Sequence, residues 1–405
     1  MNVLPVSVVV VSRDRPASLR LCLLALTQQD HRNFEVVVVA DPAGLAVAGA
    51  FVVKLVEFDE ANISNARNAG IDHTAGEIIA FIDDDAVAEP TWLSRLVAPF
   101  ADSAIQAATG FVRGRNGISL QWGAAWVDSF GADHPFDLLN TGETFDALAN
   151  RAIKTQGTNC AFRRGALLAA GGFDPAYRFY HDETDLNLRM KARTTVVPLA
   201  QVVHGFAQSA RRSADRLPNS LTEIGASSAI FLRRHAPQAD FEQHRLALHA
   251  LQSQRLLAHR RAGRKTQQDA ASLLAGFVHG WTAGMQRELL QLVPRQTLGT
   301  AFLAFPDTGP RGGMVLCARS WQKASRMAEA TKAVATGKIV TVFCLSLTAR
   351  PHWLRFTENG FWVQSGGVFG RSERKGPAFQ FSTLRKRVAE ESLRLQAFRP
   401  LSELE

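Results

Sequence analysis

Residues Val6–Gln29 read VSVVVVSRDRPASLRLCLLALTQQ. Five of the first seven are valine, the pattern of a strand covered on both faces. A polar break follows. Pro16 then stands where the first turn of a helix tolerates a residue without an N–H. The stretch therefore reads as a buried strand feeding a helix.

The pattern repeats downstream. FEVVVVAD (Phe34–Asp41), FVVKLVEF (Phe51–Phe58) and EIIAFID (Glu77–Asp83) predict three more buried strands. NISNARNAGIDHTAG (Asn62–Gly76) and PTWLSRLVAPF (Pro90–Phe100) predict helices between and after them. Such alternation means βαβ units and a mostly parallel sheet with helices on both faces. Ligands of these sheets bind beyond the carboxyl ends of the strands. Three polar clusters fall there: Ser12–Arg15, Asp41 and the triplet Asp83–Asp85.

Beyond Phe100 the pattern loosens into a segment mixing Gly, Trp and acids, read as acceptor-facing loops or as edge structure. Regular signals return with KTQGTNCAFRRGALLAAGGFDP, a strand then a helix, followed by the acid-rich helix start YHDETDLNLRMKAR and the strand TTVVPLAQVVHGF. From about Ala210 to Leu292 the text is helical with basic faces. From about Pro306 a small α/β unit is predicted, including a hairpin turning at Asn359-Gly360. These boundaries give three units: residues 1–210, 211–300 and 301–405.

The 405 residues are 46% hydrophobic and 20% charged, which excludes disorder as a description of the chain. Cys22, Cys160, Cys317 and Cys344 are too scattered for a zinc cluster or a disulfide framework, and fit a reducing cytoplasm. No secretory signal and no apolar run of about 18 residues is visible. The net charge of +9 is uneven. Through His204 there are 17 Lys and Arg against 23 Asp and Glu; after it there are 29 against 14. A basic back half suggests either a solvated surface or an anionic partner such as the inner membrane face. The segment HRLALHALQSQRLLAHRRAGRK fits an amphipathic helix on anionic lipid or a packed helix with a solvated face.

Three adjacent carboxylates repel one another and call for a positive partner. Mg²⁺ or Mn²⁺ commonly takes one or two carboxylates plus ligand phosphates. Asp83 and Asp85, two apart at a strand end, can splay around one ion; a lone triplet can equally cap a helix. Arg67 and Asn68 lie on the preceding helix, where Arg67 can offset phosphate charge or pair with the triplet. Asp41 can accept from a base N–H or simply close a turn. Asp182, Glu183 and Asp185 supply a general base or favourable helix-start charge. His204, ending a strand, can complete a divalent site or be an ordinary histidine.

The ordered set VSVVVVSRDRP, FEVVVVAD, SNARNAG, FIDDD, GTNCAFRR, GGFDP, DETDLNLR and VVH, over about Leu4–His204, resembles the family-2 glycosyltransferases with the GT-A fold. The resemblance implies a nucleotide-sugar donor, by default a UDP-sugar, at the sheet rim, with Mn²⁺ or Mg²⁺. Ser12, Arg13 and Arg15 match the nucleotide-binding edge, Asp41 the base contact and Arg67 the helix arginine near base or diphosphate. Asp83 and Asp85 match the outer acids of the DXD motif, facing ribose and metal, with Asp84 between them. His204 matches a further metal ligand. The usual Glu-Asp-x-Asp base motif reads Asp182-Glu183-Thr184-Asp185 here. Position makes Glu183 the match for the catalytic acid, and Asp182 stays open as an alternative.

The implied activity is inverting transfer to a glycan, lipid-linked or protein acceptor, in bacterial surface polysaccharide or glycoconjugate synthesis. The implied location is cytoplasmic or peripheral at the inner membrane face, with homo-oligomerisation left open. The competing reading is a non-catalytic nucleotide-sugar-binding or scaffold module tethered through the basic half. A nucleotidyltransferase would want a Gly-rich phosphate loop, and SRDRP has no glycine. The basic half carries no recognised nucleic-acid-binding module, so no nucleic acid is expected.

Overall fold

The computed structural model describes residues 4–205, 208, 213, 217–307 and 309–401. The first elements alternate as the sequence predicts: β1 (Val6–Ser12), α1 (Pro16–Leu26), β2 (Phe34–Ala40), α2 (Pro42–Ala48), β3 (Lys54–Glu57), α3 (Ile63–Asp72) and β4 (Ile78–Asp83). Pro16 begins α1, Asp41 caps α2 and Asn62 caps α3 with their side-chain oxygens. The third strand is shorter than its apolar run, because Phe51–Val53 turn onto the sheet before pairing begins.

β5 (Ala86–Ala88) and the predicted helix α4 (Trp92–Val97) follow, and the loosely patterned region beyond Phe100 is mostly strands: β6 (Ala107–Arg113), β7 (Leu120–Trp122), β8 (Ala125–Asp128), β9 (Asp133–Pro135), β10 (Glu143–Phe145) and β11 (Arg151–Ile153). Then come β12 (Cys160–Arg163), α5 (Arg164–Ala169), α6 (Asp182–Met190) and β13 (Thr194–His204). The main sheet runs β10-β13-β6-β12-β4-β1-β2-β3, with β5 on β13 and β7 on β6. β1–β4, β6 and β13 point one way, and β12 runs against them between β4 and β6. A separate three-stranded sheet holds β11, β8 and β9. β1 and β2 are buried on both faces, as their valine runs require.

β13 carries a bulge between Val197 and Gln201, around Pro198, which cannot donate to the ladder. Buried Asn159, from the GTNC segment, spans this irregularity. Its Nδ2 donates to Phe111 O and Ala200 O, both at 2.9 Å, and its Oδ1 accepts from Trp92 Nε1.

The next three elements are α7 (Thr222–His235), α8 (Phe241–Arg261) and α9 (Gln267–Gln286). The expected start of this helical unit near residue 211 lies outside the described residues. α7 and α9 pack backbone to backbone. A Cβ at Gly280 would fall 1.8 Å from Thr222 O, and one at Gly284 would fall 2.3 Å from Ala226 O. Only glycine allows that approach.

The chain then returns along the first unit, where buried Glu35 of β2 gathers Ser7 Oγ, Lys54 Nζ and the Leu303 N–H. The last unit holds β14 (Gly313–Ala318), α10 (Lys323–Ala335), β15 (Ile339–Ser346), β16 (Trp353–Phe356), β17 (Trp362–Gly367) and α11 (Leu384–Leu395). Its sheet is ordered β14-β15-β17-β16, with β16 antiparallel and the β16–β17 turn at Asn359-Gly360. This sheet shares a core with Ala25 of α1, Ile118 and Val203. Fully buried Arg399 reaches Glu89, one residue past β5, at 2.6 Å, while Arg113 of β6 holds the same carboxylate at 3.1 Å.

Candidate active site at the carboxyl rim

Three distant segments meet at the carboxyl ends of β1, β4 and β13. β4 ends at Asp83, the chain turns through Asp84 and Asp85, and β5 pairs antiparallel with β13 so that Ala86 lies opposite His204. That pairing draws His204, 119 positions on from Asp85 in the sequence, beside the acid triplet. His204 Nε2 stands 3.2 Å from Asp85 Oδ1. Its Nδ1 lies 3.4 Å from Gln121 Oε1, and Trp122 tilts over the ring at 5.5 Å between centroids.

The three acids have different surroundings. Asp83 is part-exposed and lies 3.4 Å from the Arg67 guanidinium. Asp84 is fully buried and accepts from Ser12 Oγ at 2.7 Å. Its other oxygen is 2.9 Å from Arg15 Nη2. Burial pushes the Asp84 carboxyl up to about 8, against the pull of Arg15. Asp85 is nearly buried and sits 3.3 Å from Arg15 Nη1. Asp83, Asp85 and His204 each offer a ligand atom, and these atoms lie within 4.8 Å of one another. Two carboxylate oxygens and an imidazole nitrogen form a donor set that suits a divalent cation.

The other expected residues surround this centre. Arg13 is exposed and donates from Nε to Asp59 at 2.8 Å. Asp41 accepts from the Gly44 N–H and, with its second oxygen, from the Asp14 N–H, both at 2.7 Å. It thereby ties the loop after β1 to the start of α2. Arg67 projects from α3 between Asp83 and Asp182, with its guanidinium 5.1 Å from the Phe173 ring centre. Gly157 lies flat against that guanidinium; a Cβ there would be 2.5 Å from Nη2.

The second acid cluster opens α6. Tyr180 and His181 precede it with φ of 73° and 67°, left-handed conformations that non-glycine residues seldom hold. His181 is kept there by stacking on Phe231 of α7, 4.6 Å away. Burial, and after it the charge of Lys154, pushes the His181 imidazole down to about 3. Asp182 is buried against Arg67. Burial and then the charge of Glu183 push its carboxyl well above the usual range. Burial opposes ionisation of Glu183 too, but Arg67 and a hydrogen bond from Asp182 hold it below the usual range. Glu183 is also the least buried of the three acids. Asp185 is fully buried and bound by Arg189 Nε at 2.7 Å and His235 Nε2 at 2.9 Å.

The structure thus brings Ser12, Arg15, Arg67, Asp83, Asp84, Asp85, Asp182, Glu183 and His204 together, and leaves Arg13 and Asp41 at the edge of the same rim. Gln121 and Trp122 beside His204, Lys154 near Glu183, and His235 on Asp185 also adjoin these residues and were not singled out from the sequence. Arg189 stood four residues from Asp185 inside the motif, a spacing that signals a helix-face pair. His235 gave no such signal, because it arrives from α7, fifty residues away.

The family description "Glycosyl transferase family 2" matches residues 7–168, which contain β1 through β12 and the acid triplet. Over these residues the chain is similar to glycosyl transferase family 2. The expected α/β architecture, with helices on a central and mostly parallel sheet, is the one observed.

Among curated relatives, glucosyl-dolichyl phosphate glucuronosyltransferase of Haloferax volcanii is 30% identical over 116 residues, 28% of this chain and 34% of that protein. The succinoglycan biosynthesis protein ExoM of Rhizobium meliloti is 32% identical over 113 residues, 27% of this chain and 36% of that protein. The match spans about a third of each relative's length. A solved mannosyltransferase from Pyrobaculum calidifontis, in complex with GDP-Man and Mn²⁺, aligns with a TM-score of 0.42 and 18% identity, over 70% of this chain and 88% of that one. No helix among the described residues is long and apolar enough to cross a membrane.

Proposed function

We propose that this chain transfers a sugar, with inversion, from a UDP-sugar to an acceptor hydroxyl in polysaccharide or glycoconjugate synthesis. The observation that carries the reading is the convergence of Asp83, Asp85 and His204 within 4.8 Å, on the rim that also holds Arg67 and Glu183. Asp85 and His204 would hold Mn²⁺ or Mg²⁺, and Asp83 would meet the ribose. A divalent ion bound there supplies Lewis-acid stabilisation of the leaving diphosphate.

The chain's own residues do the rest. Arg67 would bring positive charge to the base or diphosphate of the donor. Glu183, kept ionised by Arg67, takes the proton from the attacking hydroxyl. Asp182, occupied by Arg67, fixes the turn from which Glu183 projects. Attack by that hydroxyl opposite the departing diphosphate inverts the anomeric centre. Relatives named for a dolichyl-phosphate-linked sugar and for succinoglycan synthesis support a glycan or lipid-linked acceptor.

The test is calorimetry of UDP and UDP-sugars with and without Mn²⁺, alongside slow sugar release without acceptor. Asp85→Ala should abolish the metal-dependent part of binding while the chain stays folded. Unchanged metal-dependent affinity removes the cation assignment. Tight binding with no sugar release in any nucleotide-sugar panel replaces the enzyme with a binding module.

A further inference from the structure

The C-terminal sheet has its own carboxyl rim. β14, β15 and β17 run parallel, so Ala318, Ser346 and Gly367 end side by side. The chain leaving these ends exposes large apolar side chains. Trp321 is 76% exposed, Leu347 65%, Trp353 49%, Phe379 57% and Phe381 81%. These are joined by local structure. Val368 N–H donates to Ser346 O, Phe369 N–H to Thr348 O and His352 N–H to Arg371 O. The Phe369 ring then stacks on Phe379 at 5.5 Å and on Phe381 at 5.9 Å. Basic residues lie among them: Arg319, its guanidinium 5.6 Å from the Trp321 ring, and exposed Arg350, Arg371, Arg374 and Lys375.

We infer that this rim is a docking surface for the anionic headgroup layer of a lipid bilayer. Loop tips carrying Trp and Phe between Arg and Lys match an interface that is apolar below and negatively charged above. The surface is a set of protruding loops, which suits a yielding lipid layer. Charge decides against a second copy of the chain as occupant. Residues 301–405 carry 16 Lys and Arg against 8 Asp and Glu, so two such faces repel while an anionic surface attracts.

The position of the rim gives docking a consequence. Leu354, next to Trp353, donates its N–H to Asn116 O, and the Arg374 N–H donates to Ser119 Oγ. The turn from Asn116 to Ser119 leads directly into β7, whose Trp122 lies over His204. β7 also exposes Leu120. A bilayer on the rim therefore lies beside the mouth of the rim site.

The test uses the full chain, vesicles of pure phosphatidylcholine, and vesicles containing 30% phosphatidylglycerol. Co-sedimentation should occur with the anionic vesicles alone and weaken with salt. Arg350→Glu combined with Lys375→Glu should lower vesicle affinity at least tenfold, and Trp321→Ser with Phe381→Ser should remove the salt-resistant remainder. These side chains are exposed, so melting temperature and Mn²⁺-dependent UDP binding should stay unchanged; that separates failure of docking from failure of the transferase reading. Equal binding to both vesicle types, or variants that bind like the parent, overturns the inference. So does a dimer by light scattering that the same substitutions dissociate, because the rim is then a contact between copies.

Discussion

The two acid clusters look alike in sequence and differ in what surrounds them. Asp83–Asp85 and Asp182–Asp185 both place three carboxylates within four residues, at a strand end and a helix start. In the first, two acids and a histidine lie close enough to share one cation, with Asp83 also facing Arg67 and Asp85 facing Arg15, and the third is buried under Ser12. In the second, two acids have committed partners: Asp182 has Arg67, and Asp185 has Arg189 and His235. Glu183 sits between them. A run of like charges is thus neither a metal site nor a helix cap by itself. Arginines and histidines from distant elements decide what each acid faces.

The largest expected effect falls on Glu183. Glu183→Gln removes the acceptor for the hydroxyl proton and should cut transfer by about a hundred- to ten-thousand-fold, the range of a positioned general base. Metal-dependent UDP binding should persist, because the first cluster is intact. If Asp182→Asn abolishes transfer and Glu183→Gln does not, the roles of the neighbours are exchanged. Asp185→Ala comes next, with a different readout. It strands Arg189 and His235 against a fully buried position, and breaking a buried pair costs about 3–5 kcal/mol. Denaturant unfolding should register that loss. Arg399→Ala should show a loss of the same order, because Glu89 is then shared with Arg113 alone.

The alternation of β1 to β4 could be read because β1, β2 and β4 are buried runs and α1, α2 and α3 each open at a proline or a side-chain cap. These signals are local. The acid triplet and Arg67 could be read for the same reason, since the triplet closes β4 and Arg67 lies on the helix before it. His204 was legible as a strand end, but its partner required knowing that β5 turns back onto β13. His235, Lys154 and Gln121 depend on tertiary packing alone. The short strands between Phe100 and Cys160 escaped because they run three or four residues, too few for periodicity to register. α11 escaped too. Its apolar positions are sparse among charged residues, and Glu391 and Arg387 are buried by pairing with one another.

The smallest effect gives the sharpest contrast between the clusters, because it turns on the sign of a slope. Asp84 holds its proton up to about 8 in the folded chain, whereas an unfolded aspartate loses it near about 4. Between these values the folded state binds more protons, so this residue lowers stability as pH rises through that window. Asp185 does the opposite. Burial opposes its charge, but His235 and Arg189 hold its carboxyl below the usual range, so its contribution is present above that range and lost as pH falls. Asp84→Asn keeps an acceptor for Ser12 Oγ and removes the charge. Its stability relative to the parent should therefore climb from pH 4 to pH 8 and then level off, by at least about 1 kcal/mol, since one unit of carboxyl shift is worth about 1.4 kcal/mol. Asp185→Asn should instead show its largest deficit at neutral pH and recover towards the parent in acid. Parallel pH profiles for the two variants would mean that the buried acids are equivalent, and that the difference between the clusters lies somewhere other than in their partners.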